Sequence, residues 1–149
     1  MSSFYQHSPA VRMAYPNEAE ATFDRLHPNS APWGLDHPPI NVGMIPGMVR
    51  YAPDRIMSDR MVECKGVGKD AILKIKLEQL YALAWWANVM DVYVFIWDSY
   101  RKRHATIKVG DLIKACEKNG VLTQFPDNSK PAWFMSLQFL PVDWTDDAP

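Results

Sequence analysis

The sequence predicts a mixed α/β fold, an α+β arrangement with helices flanking a mixed sheet, and three stretches carry that expectation. Residues 53–65 read as a β-hairpin turning at Ser58-Asp59. Residues 70–90 read as a long apolar helix, and Val92-Tyr93-Val94-Phe95-Ile96-Trp97 as a nearly continuous β run. A hairpin followed by a crossover helix and another strand puts strands of both senses in one sheet, with helices on its faces.

Residues 1–15 have no clear period and are expected to form an arm. Pro16–Leu26 has a proline near its start and the acids Glu18 and Glu20 in its first turn, the pattern of a short helix. Prolines between His27 and Pro46 break any regular element, leaving an ordered loop that ends in a first strand near Met48–Tyr51. The hairpin follows, and Gly66-Val67-Gly68 closes its second strand. In the long helix, Ile72, Leu73, Ile75, Leu80, Trp85 and Trp86 belong to an apolar surface that leaves only a narrow polar stripe. Burial on most sides is expected, against a sheet and a partner subunit. The run 92–97 suits a central strand covered on both faces and ended by Asp98-Ser99. His104–Val109 reads as another strand. Asp111 is placed to cap a helix through Lys118, closed by Asn119-Gly120, and Trp133–Leu140 as a last strand. The order is αβββαβ followed by accessory pieces.

At 149 residues the chain fits one domain, residues 16–142, able to bury a core. A hydrophobic content of 48% with 22% charged residues excludes wholesale disorder. No charge-free apolar run reaches transmembrane length, and the N-terminus has neither a basic nor an apolar leader region. A cytoplasmic protein with no membrane partner is therefore expected. Cys64 and Cys116 read as buried free thiols in a reducing compartment. The formal charge of −1 excludes a generally basic nucleic-acid binder, but the charge is uneven. The tail 143–149 holds acids and no base, whereas basic residues outnumber acids between 48 and 142 and peak at Arg101-Lys102-Arg103. Beside a phosphodiester site that run, with Lys69, is expected to contact DNA phosphates.

The chemistry concentrates in the hairpin. With Ser58-Asp59 as its turn, residues whose numbers sum to 117 face each other, so Asp54 lies opposite Glu63, Cβ atoms roughly 5 Å apart. Lys65, two residues beyond Glu63, shares its face. Opposed like charges destabilise a sheet, so such a pair is expected to hold a cation. A Mg²⁺-sized ion takes one or two carboxylates plus waters and substrate phosphates. Other motifs fail. Gly66-Val67-Gly68-Lys69-Asp70 lacks the first glycine and the hydroxyl residue of a phosphate-binding loop. The four histidines have no ligand spacing with either cysteine. Trp85-Trp86 on so apolar a helix favours core or dimer-interface packing over base stacking. Lys76 and Gln79, three apart on the expected helix, are placed to flank the site and contact phosphate.

At these residues the chain resembles the PD-(D/E)xK nuclease superfamily: Pro53-Asp54 matches the first half of the motif and Glu63-Cys64-Lys65 the second. Within it the chain is most similar to the phage endonuclease I group of Holliday junction resolvases. That similarity rests on Val49–Asp54, on Cys116–Val121 and on Pro131-Ala132-Trp133. The resemblance implies a restriction-endonuclease-like αβββαβ core and a Mg²⁺- or Mn²⁺-dependent endonuclease cutting branched DNA. It further implies a homodimer acting in phage recombination in a host cytoplasm. Asp54 and Glu63 would bind the metal, helped by the Cys64 backbone carbonyl, and Lys65 would orient the attacking water. A glutamate of the first helix, Glu20 with Glu18 in reserve, would join them. The basic terminal extensions of that group are missing, which bears on how DNA would be gripped. An exonuclease or nicking enzyme of the same superfamily, and a catalytically silent DNA-binding module, remain the alternatives.

Overall fold

The structure, a computed structural model, describes the backbone of residues 9–34, 46–124 and 130–147 and the side chains from Glu18 onward. Residues 1–8 of the expected arm and 148–149 of the expected tail lie outside it. Helix α1 (Pro9–Leu26) leads to β1 (Ala31–Pro32), α2 (Gly47–Arg50), β2 (Arg55–Ile56), β3 (Arg60–Val67) and β4 (Ile72–Lys76). Then come α3 (Leu77–Trp86), β5 (Asp91–Asp98), β6 (Arg103–Lys108), α4 (Val109–Asn119), β7 (Val121–Gln124), β8 (Pro131–Ser136) and β9 (Thr145–Asp146).

The fold is the mixed α/β type that the sequence predicts. A six-stranded sheet has the order β1-β2-β3-β5-β6-β9, with β3 and β5 parallel and their other neighbours antiparallel; a second sheet has the order β4-β8-β7. Strand β5 lies inside the large sheet and is covered on both faces. Its Phe95 and Trp97 pack with Val62, Cys64 and with Ala19 and Phe23 of α1. Its Val92, Val94 and Ile96 pack on the other side with Leu80 and Leu83 of α3, Leu112 of α4, and Leu73 and Ile75 of β4. Each fully buried Val, Leu, Ile or Phe among them contributes roughly 1.5–3 kcal/mol by leaving water. Both cysteines are free and buried, Cys64 toward α1 and Cys116 on the core-facing side of α4.

Four expectations are corrected. The long helix 70–90 is a strand followed by a shorter helix. Ile72-Leu73-Lys74-Ile75-Lys76 alternates, with Leu73 and Ile75 buried, and pairs antiparallel with β8. Ala71, at φ 57°, sits in the left-handed region, which no helix can pass through. Helix α3 is also less enclosed than its composition suggests, since Tyr81 and Trp85 are exposed. No strand forms at Met48–Tyr51, because the N–H groups of Val49 and Arg50 turn back to the Pro46 carbonyl and wind α2. The hairpin's outer neighbour is instead Ala31–Pro32. Helix α1 begins at Pro9, so Pro16 lies inside it. Part of the acidic tail joins the large sheet: β9 adds to β6, pairing Arg103 with Asp146 and His104 with Thr145.

Helix α4 has Asp111 in its first turn and Lys118 in its last, favourable at the two ends of the helix dipole; Asp111 is not the cap itself, which is Lys108. Gly120 ends it for reasons of space. A Cβ there would come within 2.7 Å of the Cys116 carbonyl oxygen and 2.9 Å of the Trp133 ring. Among the described residues no helix is long and apolar enough to cross a membrane.

Candidate active site

The hairpin register is the predicted one. Arg55 pairs with Val62 and Ile56 with Met61, both sums being 117, and Met57 N–H donates to the Arg60 carbonyl at 2.7 Å across the Ser58-Asp59 turn. One step further, Asp54 faces Glu63 where β2 has ended and the edge of β3 is open. The Asp54 carboxylate fills that gap, accepting the Cys64 N–H at Oδ2 at 2.9 Å. A strand residue's N–H and C=O leave the backbone on the same side, so the Cys64 carbonyl is directed toward this edge too. The Cys64 thiol points away into the α1 core, and burial holds its pKa far above the ordinary value.

Glu63 is buried, at 5% exposure, and receives a 2.5 Å hydrogen bond at Oε2 from Gln79 Nε2. Gln79 Oε1 accepts from Lys65 Nζ at 2.7 Å, and that ammonium stands 3.8 Å from Glu63 Oε2. One amide thus holds acid and amine in register, its donor end to the carboxylate and its acceptor end to the lysine. Gln79 reaches them because β4 carries the chain along the β3 face before α3 begins. Burial raises the Glu63 pKa well above the carboxylate range; the Asp54 charge and a carboxyl–carboxyl hydrogen bond raise it further, and Lys65 opposes them.

Glu20 and Glu18 separate cleanly. Glu20 lies near enough to the pair to raise the Glu63 pKa slightly, and 4.0 Å from Arg55 Nη1. Glu18 is occupied elsewhere, accepting from Trp97 Nε1 at 2.7 Å and from Ser99 Oγ at 3.0 Å, with Lys102 Nζ at 3.4 Å. Arg55, which sequence reasoning passed over, is the organiser on this side. Almost buried, it donates to Asp24 through Nε at 2.8 Å and Nη2 at 3.1 Å, locking α1 to the hairpin. Its one legible signal is alternation, since it follows Asp54 and so faces α1. A second unforeseen node is Glu78, which accepts from Tyr51 Oη at 2.6 Å and from Lys130 Nζ at 2.8 Å. Burial, reinforced by Glu78, lifts the Tyr51 pKa to about 12.

The expected DNA contacts are dispersed. Lys76 ends β4 rather than sharing a helical face with Gln79, its Nζ 6.0 Å from the Tyr51 ring. Lys69 is exposed in the turn after β3, 5.6 Å from the Tyr100 ring. Arg101 and Arg103 turn to one side of the hairpin between β5 and β6, where both meet the fully buried Asp98. Lys102, at φ 53°, turns toward Glu18 and the Trp97 ring on the other.

Among the described residues no group of three or more His, Cys, Asp and Glu side chains is gathered to hold a metal. The donors at the β3 edge suit a hard divalent cation that keeps several waters: two carboxylates in contact, with a backbone carbonyl directed the same way. The raised pKa of the buried Glu63 beside the Asp54 charge reflects repulsion that such a cation relieves.

Two predictions follow from this geometry. Because the folded Glu63 pKa is raised, the native chain binds more protons than the unfolded one above the ordinary carboxylate pKa. In chelator, stability should therefore fall as pH rises from about 4.5 through the folded value. Glu63→Gln should flatten that slope in urea melts across pH 4.5–8; an unchanged slope would locate the proton elsewhere. Gly34 lies at φ +61°, and a Cβ there would come within 2.9 Å of the Ala52 and Pro53 carbonyl oxygens, while Trp33 N–H holds the Asp54 carbonyl at 2.9 Å. Gly34→Ala should cost about 1–2 kcal/mol through left-handed strain and displacement of the Asp54 lead-in, read from the denaturant midpoint.

No family model, curated protein or solved structure matches this chain.

Proposed function

We propose that this chain is a Mg²⁺- or Mn²⁺-dependent deoxyribonuclease that hydrolyses phosphodiester bonds in branched DNA as a homodimer, in phage recombination or DNA processing. The observation that carries the proposal is Glu63, buried against Asp54, with Lys65 held 3.8 Å away by Gln79. A structural ion pair accounts for Glu63 with Lys65, and the Cys64 N–H gives Asp54 one partner, but neither accounts for placing a second carboxylate against the buried first.

Asp54, Glu63 and the Cys64 carbonyl would hold the ion. When bound, it lowers the pKa of a water and polarises the phosphoryl oxygen. Lys65 places a fixed ammonium beside the scissile phosphate, stabilising charge that develops there with little reorganisation, and it orients the attacking water. Gln79 keeps the Lys65 side chain extended toward that position. Glu20 adds negative charge at the α1 side of the opening, tethered by Arg55. Two symmetric cuts at a four-way junction need two sites, which motivates the dimer. Exposed Trp33, Tyr81 and Trp85 supply apolar surface consistent with it.

The test is cleavage of a four-way junction, a linear duplex and a single strand, each with Mg²⁺, with Mn²⁺ and with chelator. Metal-dependent, paired cuts at the junction are expected. Preference for a linear end would transfer the chain to the exonuclease alternative, and no cutting of any substrate with either metal would leave only a DNA-binding module. Gel filtration giving a strict monomer at micromolar concentration would remove the dimer.

A further inference from the structure

Away from the carboxylate pair, at the far end of β4 from Gln79, a cavity of about 510 Å³ opens between the two sheets. Arg101 and Arg103 reach into it from the β5–β6 turn, Ser136 and Gln138 from the end of β8, and Leu140 and Trp144 from the chain that follows. Among the described residues no acidic side chain lines it. We propose that this cavity binds a nucleoside phosphate, either free or as the terminal residue of a DNA strand.

The charge is arranged for an anion. Two guanidiniums share one carboxylate, Asp98, which is fully buried beneath them. Arg103 donates to it through Nε at 2.9 Å, whereas Arg101 reaches it only at 3.4–3.5 Å through Nη1. Among the described residues, Arg101 Nε and Nη2 and both terminal nitrogens of Arg103 make no hydrogen bond, so paired donors remain for phosphate oxygens. The buried carboxylate fixes both side chains before a ligand arrives, which lowers the ordering cost of binding.

The walls select more than phosphate. The Arg103 guanidinium carbon lies 4.3 Å from the Trp144 ring centroid, which brings together a guanidinium and an indole, the two kinds of group on which bases stack. The exposed Tyr100 ring lies 5.6 Å from the Arg101 guanidinium, outside the cavity lining. The volume lies within the range of small-molecule sites and is far larger than an inorganic anion requires. Trp144 is held in place by β9, by Asp147 N–H donating to the Lys102 carbonyl at 2.8 Å, and by the Arg25–Asp147 ion pair at 2.7 Å. The tail is thus one wall of the site.

The experiment is calorimetric titration of the full chain in chelator, which makes it independent of the metal-site proposal. The ligands are deoxyadenosine monophosphate, deoxyadenosine, inorganic phosphate, and a short single strand with and without a 5′-phosphate. The monophosphate should bind at least tenfold more tightly than the nucleoside or phosphate alone. Arg101→Gln and Trp144→Leu should each weaken it at least tenfold. A phosphorylated strand binding more tightly than the free nucleotide assigns the site to DNA ends; the reverse order assigns it to free nucleotides. The proposal is overturned by no saturable binding of the monophosphate at millimolar concentration, by equal affinity for phosphate alone, or by variants that bind like the unchanged chain. The ligand series needs no variant, so it stands even if a substitution harms folding.

Discussion

Glu63→Gln is expected to abolish metal-dependent DNA cleavage, by about 10³-fold or more, while making the metal-free protein more stable at neutral pH. The two effects have opposite signs because one group causes both. Glutamine keeps the shape of glutamate, so it can still accept from Gln79 Nε2, and its amide faces Asp54, which becomes its acceptor. Burial and the neighbouring Asp54 charge make ionisation of Glu63 costly in the folded state, and glutamine has no carboxyl group to ionise. The loss falls on activity, since a neutral amide is a poor ligand for a hard cation. Asp54→Asn and Lys65→Ala should match the loss of cutting without loss of fold. Single-turnover cleavage beside urea melts in chelator checks all three variants. A Glu63→Gln chain that cuts normally removes the site, and one that is inactive because it is less stable makes Glu63 a structural residue.

Asp98→Asn should be the most destabilising conservative change in the sheet, about 3 kcal/mol. Asp98 is fully buried at the end of β5 and receives Arg103 Nε at 2.9 Å and the Arg101 backbone N–H at 3.3 Å. Removing its charge leaves the two guanidiniums that share it without their common counter-charge. Breaking such a pair by deleting one partner costs more than the pair itself contributes. The lower end of the usual range applies because Arg103 and Arg101 are 26% and 39% exposed and water screens them in part. For a chain of this length the melting temperature should fall by about 6–12 °C. A drop below about 1 kcal/mol in urea unfolding would mean that the arginines reach solvent freely and that Asp98 does not orient them.

The alternation and turn chemistry of residues 53–67 settle the hairpin register, because a slip of one residue would turn Met61 and Val67 out of the core and carry Glu63 with them. The apolar run 92–97 likewise determines a strand buried on both faces. Periodicity fails at 70–76, where a short apolar stretch with two lysines fits either period; the left-handed turn at Ala71 and the partner strand β8 decide it. Spacing along the chain left Glu18 and Glu20 level, and only the packing of α1 across β3 and β5 separates them. Nor does any local pattern show that Gln79 bridges Glu63 to Lys65, that Arg55 ties α1 to the hairpin, or that Trp144 closes a cavity over Arg103. Local sequence sets which face a side chain takes, since that depends on neighbours one or two residues away. Which distant groups meet on that face depends on how the elements stack, and that the folded chain alone decides.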